Sequence, residues 1–436
     1  MLLEELNKKY FDGRLSPKTL VWLQDLDNQN REVKDFVTRV FRLMHKSKFR
    51  AEDFSPVLGW ALGFLPQRIL PGAWGGLIPP ITIEGRHSRI DAYARQNPWL
   101  NAERPILFLD LGCGFPPVTT VETAERWRDW RIVGADPSFG KYVVYDEYGD
   151  YACFDNDGNL RYFQAGARDP ARWDALYRDP AATRTRFSAL FRALVEQIPD
   201  PSSGESFHVA SGNARIIVNP MKEYERPNLR FITAGLKSAD ITDVDIARCF
   251  NVLIYFDREF RNEVLQWMSG VLIHRGLFLC GMNWAKSTQS RYTVYQELNG
   301  SLVPREFAMS IDNLRPFGFV TWFSLHDDEY ETETLAHLCG VIRSDTSFSR
   351  DFDAAFDELL LEFKIAGRDE EGYLTNFFLE ADPAELDNRL AQLLEVLDQR
   401  GFVTRAADVL RSAGYEAWRN CVGHIAVHPP ATKSNV

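Results

Sequence analysis

The stretch that most constrains this chain is 106–114, where the apolar run Ile106-Leu107-Phe108-Leu109 passes through Asp110 and Leu111 straight into Gly112-Cys113-Gly114. A short apolar run closed by glycine is the pattern of a strand buried on both faces, and such strands belong to parallel sheets covered by helices. Glycines at the turn let the backbone pass close to a ligand. A helix is expected to begin at about Pro116 or Pro117, because the N–H that proline lacks has no partner in a first helical turn. A second strand, 131–136, ends in Asp136. An acidic side chain at the tip of the second strand is placed to accept both hydroxyls of a ribose.

Further apolar runs at 229–235, 245–253, 276–282 and 320–325 alternate with helical stretches. That alternation predicts an α/β fold over 81–345, a doubly wound, mostly parallel Rossmann-like sheet with helices on both faces. One interval breaks the rhythm. Between Asp136 and Leu229 the chain is far longer than a crossover needs, so an insert is expected at 138–228. Its first part alternates aromatic and polar residues around Tyr148-Gly149-Asp150 and Asn156-Asp157-Gly158, which predicts a small antiparallel meander. Its second part, 173–198, reads as helix.

Two appendages flank this domain. Residues 1–80 carry apolar residues at helical spacing (Val33, Phe36, Val37, Val40, Phe41, Met44) and end in a Pro- and Gly-rich run from Pro66 to Pro80, expected to be irregular and packed by Trp74. Residues 346–436 read as helices closed by a strand-like segment at 420–429.

The 436 residues carry 50 Lys and Arg against 61 Asp and Glu, a formal charge of -11 that repels a phosphate backbone, so nucleic acid is a disfavoured partner. Six cysteines lie scattered without a CxxC pair, which points to a reducing compartment and no structural metal. The start, LEELNKKYF, has no signal-peptide pattern, and the apolar stretch 57–65 is interrupted by Gly59 and Gly63 and is too short to span a bilayer. A cytoplasmic location is expected.

The glycine turn and Asp136 together resemble the first two motifs of class I S-adenosylmethionine-dependent methyltransferases, whose first strand ends in D/E-x-G-x-G-x-G. Pro116 stands at the third glycine here. A dinucleotide GxGxxG would need glycine where Pro117 stands. The stretch 228–281 is similar to the chemotaxis-receptor methyltransferases, whose fourth strand runs into C-R-N-V-L-I-Y-F-D. In this chain, Cys249 to Asp257 departs from that run only at Phe250. The resemblance implies S-adenosylmethionine as cofactor, with Asp110, Gly112, Cys113 and Gly114 around its methionine part and Asp136 on its ribose. It places Leu236 and Lys237 at the adenine and Asn251 where the fourth strand meets the cofactor. The Asn-x-Thr-x-x-x-Arg stretch and the receptor-gripping sheet of that family are not recognisable, so a receptor glutamate is not implied as substrate.

Methyl transfer from a sulfonium is an in-line displacement in which positioning can do most of the work, so a dedicated base is not required. Tyr255 beyond the fourth strand and Asn283-Trp284 beyond the fifth are placed to line a substrate side, with plain packing as the alternative. Arg86, Arg89 or Tyr93, in 84–100, either close over the cofactor or belong to a surface helix. His326 beside Asp327 and Asp328 suggests a His–carboxylate base or, more plainly, a solvated turn. His274 is expected before the fifth strand, away from the site. Asp155-Asn156-Asp157-Gly158 lacks the spaced ligands of a calcium loop and reads as a turn. The leading expectation is methyl transfer to a small apolar or aromatic molecule. The alternatives are a glutamate-type protein carboxyl methyltransferase and a non-catalytic cofactor-binding regulatory or scaffolding module.

Overall fold

The computed structural model describes residues 1–69, 82–100, 104–167, 169–200, 204–284, 289–315, 322, 326, 330–376 and 383–429. The chain is α/β and forms two compact units. One comprises Gln67–Ile83 and Pro105–Asp240; the other comprises Met1–Pro66, Glu84–Arg104 and Ile241–Val436.

In the first unit, β1 (Leu107–Leu111) pairs in parallel with β2 (Arg131–Ala135). The intervening helix is Val118–Arg126, beginning just after the two prolines rather than at them, with Pro117 in the capping position. The insert then contributes β3 (Tyr142–Tyr145), β4 (Tyr151–Phe154), β5 (Leu160–Gln164), β6 (Phe207–Ser211) and β7 (Ala214–Val218) to an antiparallel sheet of order β5-β4-β3-β7-β6. The meander is therefore larger than its sequence suggests, because the hairpin at 207–218 adds two strands. Its turns are self-capped. The Asp146 carboxylate accepts the N–H of Tyr148 at 2.9 Å and of Asp150 at 3.0 Å, and Asp155 accepts the N–H of Asp157 at 3.0 Å and of Asn159 at 2.8 Å. Asp155 thus serves its own turn.

Strand periodicity divides the insert sheet into two faces. Tyr142, Val144, Ala152, Phe154 and Phe163 pack under helices Pro170–Tyr177 and Pro180–Val195, where Phe154 stacks on Phe191 at 4.3 Å. Each helix opens with an Asp cap followed by proline, Asp169-Pro170 and Asp179-Pro180, a strong start signal. The alternate residues Val143, Tyr151, Cys153 and Tyr162 face the other way and cluster with Phe115 of the glycine turn. The chain then returns through β8 (Leu229–Ile232), parallel to β2.

The second unit holds β9 (Val244–Phe250) parallel to β10 (Leu272–Met282), followed by β11 (Arg291–Leu298) and β12 (Ser301–Met309), which run antiparallel. A small hairpin of β13 (Ala366–Arg368) and β14 (Leu374–Asn376) stands apart, while β15 (Ala417–Arg419) and β16 (Ile425–Val427) add to the edge of β12. The sheet is thus parallel where strand and helix alternate and antiparallel beyond Met282. Helices Arg31–Lys46, Tyr330–Ser344, Thr346–Glu362, Pro383–Gln399 and Phe402–Ser412 belong to this unit, and residues from all five share its core. Helix Ser88–Arg95 is tied to β9 by a buried ion pair, Asp91 to Arg248, at 2.6 Å.

Several expectations need revision. Helix Pro56–Ile69 continues through Pro66, where irregular chain is expected, and the rest of that stretch from 70 to 80, Trp74 included, lies outside the described residues. The sixth strand expected at 320–325 also lies outside them except for buried Trp322. His274 lies within β10, not before it, and pairs with Glu297 at 3.3 Å. Among the described residues no helix is long and apolar enough to cross a membrane, and all six cysteines are free.

Candidate functional site

In the first unit, β1 delivers Asp110 and the glycine turn. Gly112 and Gly114 both have φ +70, in the left-handed region that side chains disfavour, so the turn needs glycine at both positions. The Gly112 N–H extends the β1/β2 ladder to the Ala135 carbonyl at 2.8 Å. Asp110 is buried and accepts the Thr120 hydroxyl at 2.6 Å, which fixes the helix after the turn to the strand before it. Cys113 is buried and faces Gly134, where an added Cβ would lie 3.1 Å from its sulfur and 2.6 Å from the Phe231 ring. The glycine in the second strand is thus required by packing.

Asp136, at the end of β2, is buried. One carboxylate oxygen accepts the Gly114 N–H at 2.9 Å; the other accepts the Ser138 N–H at 2.8 Å and the Ser138 hydroxyl. Burial pushes its pKa above the ordinary carboxylate range, with the Ser138 and Gly114 donors pulling it back. Beyond β8, Lys237 adopts φ +66 in a turn where the Gly235 N–H donates to the Ser238 hydroxyl at 2.9 Å. A Cβ on Gly235 would touch Pro137 at 3.7 Å, so this loop runs beside the residue next to Asp136. Leu236 is half-buried and Lys237 exposed. Asp110, Gly112, Cys113, Gly114 and Asp136 therefore form one cluster, with the loop of Leu236 and Lys237 adjoining it.

The other candidates belong to the second unit. Asn251, at the end of β9, has φ +60, and its amide pairs both ways with the backbone of Asn283 at 3.0 Å each. Fully buried Asn283 donates through its own amide to the Arg86 carbonyl at 2.9 Å and to His87 Nδ1 at 3.3 Å; a carbonyl acceptor fixes which amide atom is nitrogen. Its side-chain oxygen has no hydrogen-bond partner among the described residues. His87 is held neutral, its pKa driven well below the usual value by burial and then by the charges of Arg248 and Arg86. The Arg86 guanidinium lies 5.9 Å over the Trp284 ring. Tyr255 is pushed up to about 12 by burial, so its hydroxyl stays protonated near neutrality.

Sequence reasoning missed His87, whose pairing with Asn283 spans 196 positions and leaves no local signal. Of Arg86, Arg89 and Tyr93, the residues expected either to close over the cofactor or to belong to a surface helix, Arg89 is exposed on helix Ser88–Arg95. Arg86 is in the cluster, whereas Tyr93 is buried and donates to Glu306 at 3.0 Å, a packing role. Asp327 and Asp328 lie outside the described residues.

No protein-family model matches the chain, and no curated protein does. Among solved structures, a putative O-methyltransferase from Nostoc punctiforme matches 60% of this chain and 51% of its own at 9% identity and TM-score 0.21, so the match spans about half that protein's length. Coclaurine N-methyltransferase bound to N-methylheliamine and SAH matches 98% of each chain at 10% identity and TM-score 0.24. These neighbours are methyltransferases, and at such TM-scores the likeness carries no further argument.

Proposed function

We propose that this chain transfers a methyl group from S-adenosylmethionine to a small apolar or aromatic molecule. The observation that carries the reading is the joining of Gly114 to Asp136: the turn after the first strand and the acid after the second form one hydrogen-bonded unit. The residues fit the cofactor. Two left-handed glycines leave backbone open to a ligand, and a buried carboxylate stands where a ribose diol would donate to it. When bound, S-adenosylmethionine supplies an electrophilic methyl group on a sulfonium.

The protein's part is to hold the reactants. Asp136 accepts the ribose hydroxyls, the 110–114 turn takes the methionine end, and half-buried Leu236 offers an apolar edge to the adenine. In the second unit, Asn251 is the candidate for contact with the cofactor, and Tyr255, Asn283 and Trp284, with Arg86, are the candidates for contact with the acceptor. Neither His87, held neutral by burial and two arginines, nor Tyr255, held protonated, is tuned as a general base, so positioning and exclusion of water carry the rate. Incubation with methyl-labelled S-adenosylmethionine and cell extract tests this. Label in the low-molecular-weight organic fraction supports it; label only in protein, released by mild base, would replace it with carboxyl methylation.

A further inference from the structure

We infer that the inserted sheet is a working part of the cofactor site: strand β4 holds the glycine turn and the Asp136 segment at a fixed spacing. The inference rests on the reading of Asp136 as the ribose acceptor.

Tyr151 and Cys153 lie two residues apart on β4, so their side chains leave the same face. Each reaches a backbone carbonyl of a different loop. The Tyr151 hydroxyl donates to the Phe115 carbonyl at 2.8 Å, one residue past Gly114. The Cys153 thiol donates to the Ser138 carbonyl at 3.5 Å, two residues past Asp136, and Ser138 in turn donates twice to the Asp136 carboxylate. Burial pushes the thiol up to about 12, so it remains a donor and an inert one, with the Tyr162 hydroxyl beside it.

Packing enforces the same geometry. A Cβ on Gly140 would lie 2.3 Å from the Phe154 carbonyl oxygen and 2.5 Å from the Cys153 sulfur, so residues 138–140 lie flat on β4. On the other side the Phe115 ring meets Tyr151 edge-on at 5.7 Å and Tyr224 at 6.1 Å. An insert serving only as a substrate lid would not need its strand bonded to both loops. Tyr151, Cys153 and Ser138 are thus positioning residues acting through Gly114 and Asp136.

The test is titration calorimetry of S-adenosylhomocysteine with the full chain across pH, alongside thermal midpoints. Tyr151→Phe, which keeps the ring, and Cys153→Ala should each weaken binding by about threefold to tenfold, the range of one lost hydrogen bond, while Cys153→Ser restores it. Ser138→Ala removes the hydroxyl donor that lowers the Asp136 pKa and keeps the backbone one, so the pH below which binding fails should move upward. Val144→Ala, on the helix-packed face of the same sheet, should lower the thermal midpoint without moving that pH. Binding unchanged in Tyr151→Phe and Cys153→Ala, or a midpoint in pH that moves equally in Val144→Ala, would overturn the inference. Absence of binding by wild type would instead overturn the cofactor reading itself.

Discussion

The Gly114 N–H donates to the Asp136 carboxylate at 2.9 Å, joining the two strand-end motifs directly across the parallel pair of β1 and β2. A ribose hydroxyl would add a fourth donor to a carboxylate that already accepts three, and only the ionised form, with about four acceptor positions, has room for all of them. Because burial raises the Asp136 pKa, S-adenosylhomocysteine affinity should fall as pH drops through a value above the ordinary carboxylate range, while Asp136→Asn should show weak, pH-independent binding. Calorimetry between pH 5 and 8 checks this.

Glu306 gives a second pH dependence, one of stability. It is buried between Tyr93 and Asn420, and burial pushes its pKa from 4.5 up to about 7. The native state therefore holds this proton more tightly than the unfolded chain. Its stabilising contribution is complete below about 4.5 and is lost as pH rises to about 7, a change on the order of 3 kcal/mol. Glu306→Gln, whose amide can still pair with the Tyr93 hydroxyl, should flatten this part of the profile in urea unfolding measured from pH 5 to 8.

The Asp91–Arg248 pair is almost wholly buried. Asp91→Leu alone strands the guanidinium in the core and should cost about 3 to 5 kcal/mol. The double change Asp91→Leu with Arg248→Met should recover most of that loss. Chemical denaturation of the two variants measures both.

Gly140→Ala should destabilise the first unit, because the new methyl meets the backbone oxygen of Phe154, which cannot swing aside, as well as the Cys153 sulfur. Overpacking of this kind costs about 1 to 3 kcal/mol and lowers the thermal midpoint by at least about 2 °C. Differential scanning calorimetry reads it.

Much of the first unit was legible because its signals are local. The strand ends at Asp110 and Asp136 and the turns at Gly149 and Gly158 each speak through adjacent residues, whereas the single helical stretch expected at 173–198 is two helices, Pro170–Tyr177 and Pro180–Val195. Two hairpins were equally local and were passed over. Asn299 and Gly300 take φ 56 and 83 between paired Leu298 and Ser301, and Gly212 with Asn213 links paired Ser211 and Ala214. Their strands carry polar residues and so do not look like the apolar runs of a parallel sheet. What no window of sequence could show are the contacts made at long range. Tyr151 reaches Phe115 across 36 positions, Arg248 reaches Asp91 across 157, and residues 1–66 share a compact unit with 241–436.

The central claim is that Asp136 and the glycine turn hold S-adenosylmethionine, and calorimetric titration of the full chain with S-adenosylhomocysteine at neutral pH tests it most directly. Binding by wild type at one site per chain, weakened at least about tenfold in Asp136→Ala at a temperature where both proteins remain folded, is the predicted result. No heat of binding to wild type, or equal affinity in the two proteins, would contradict it.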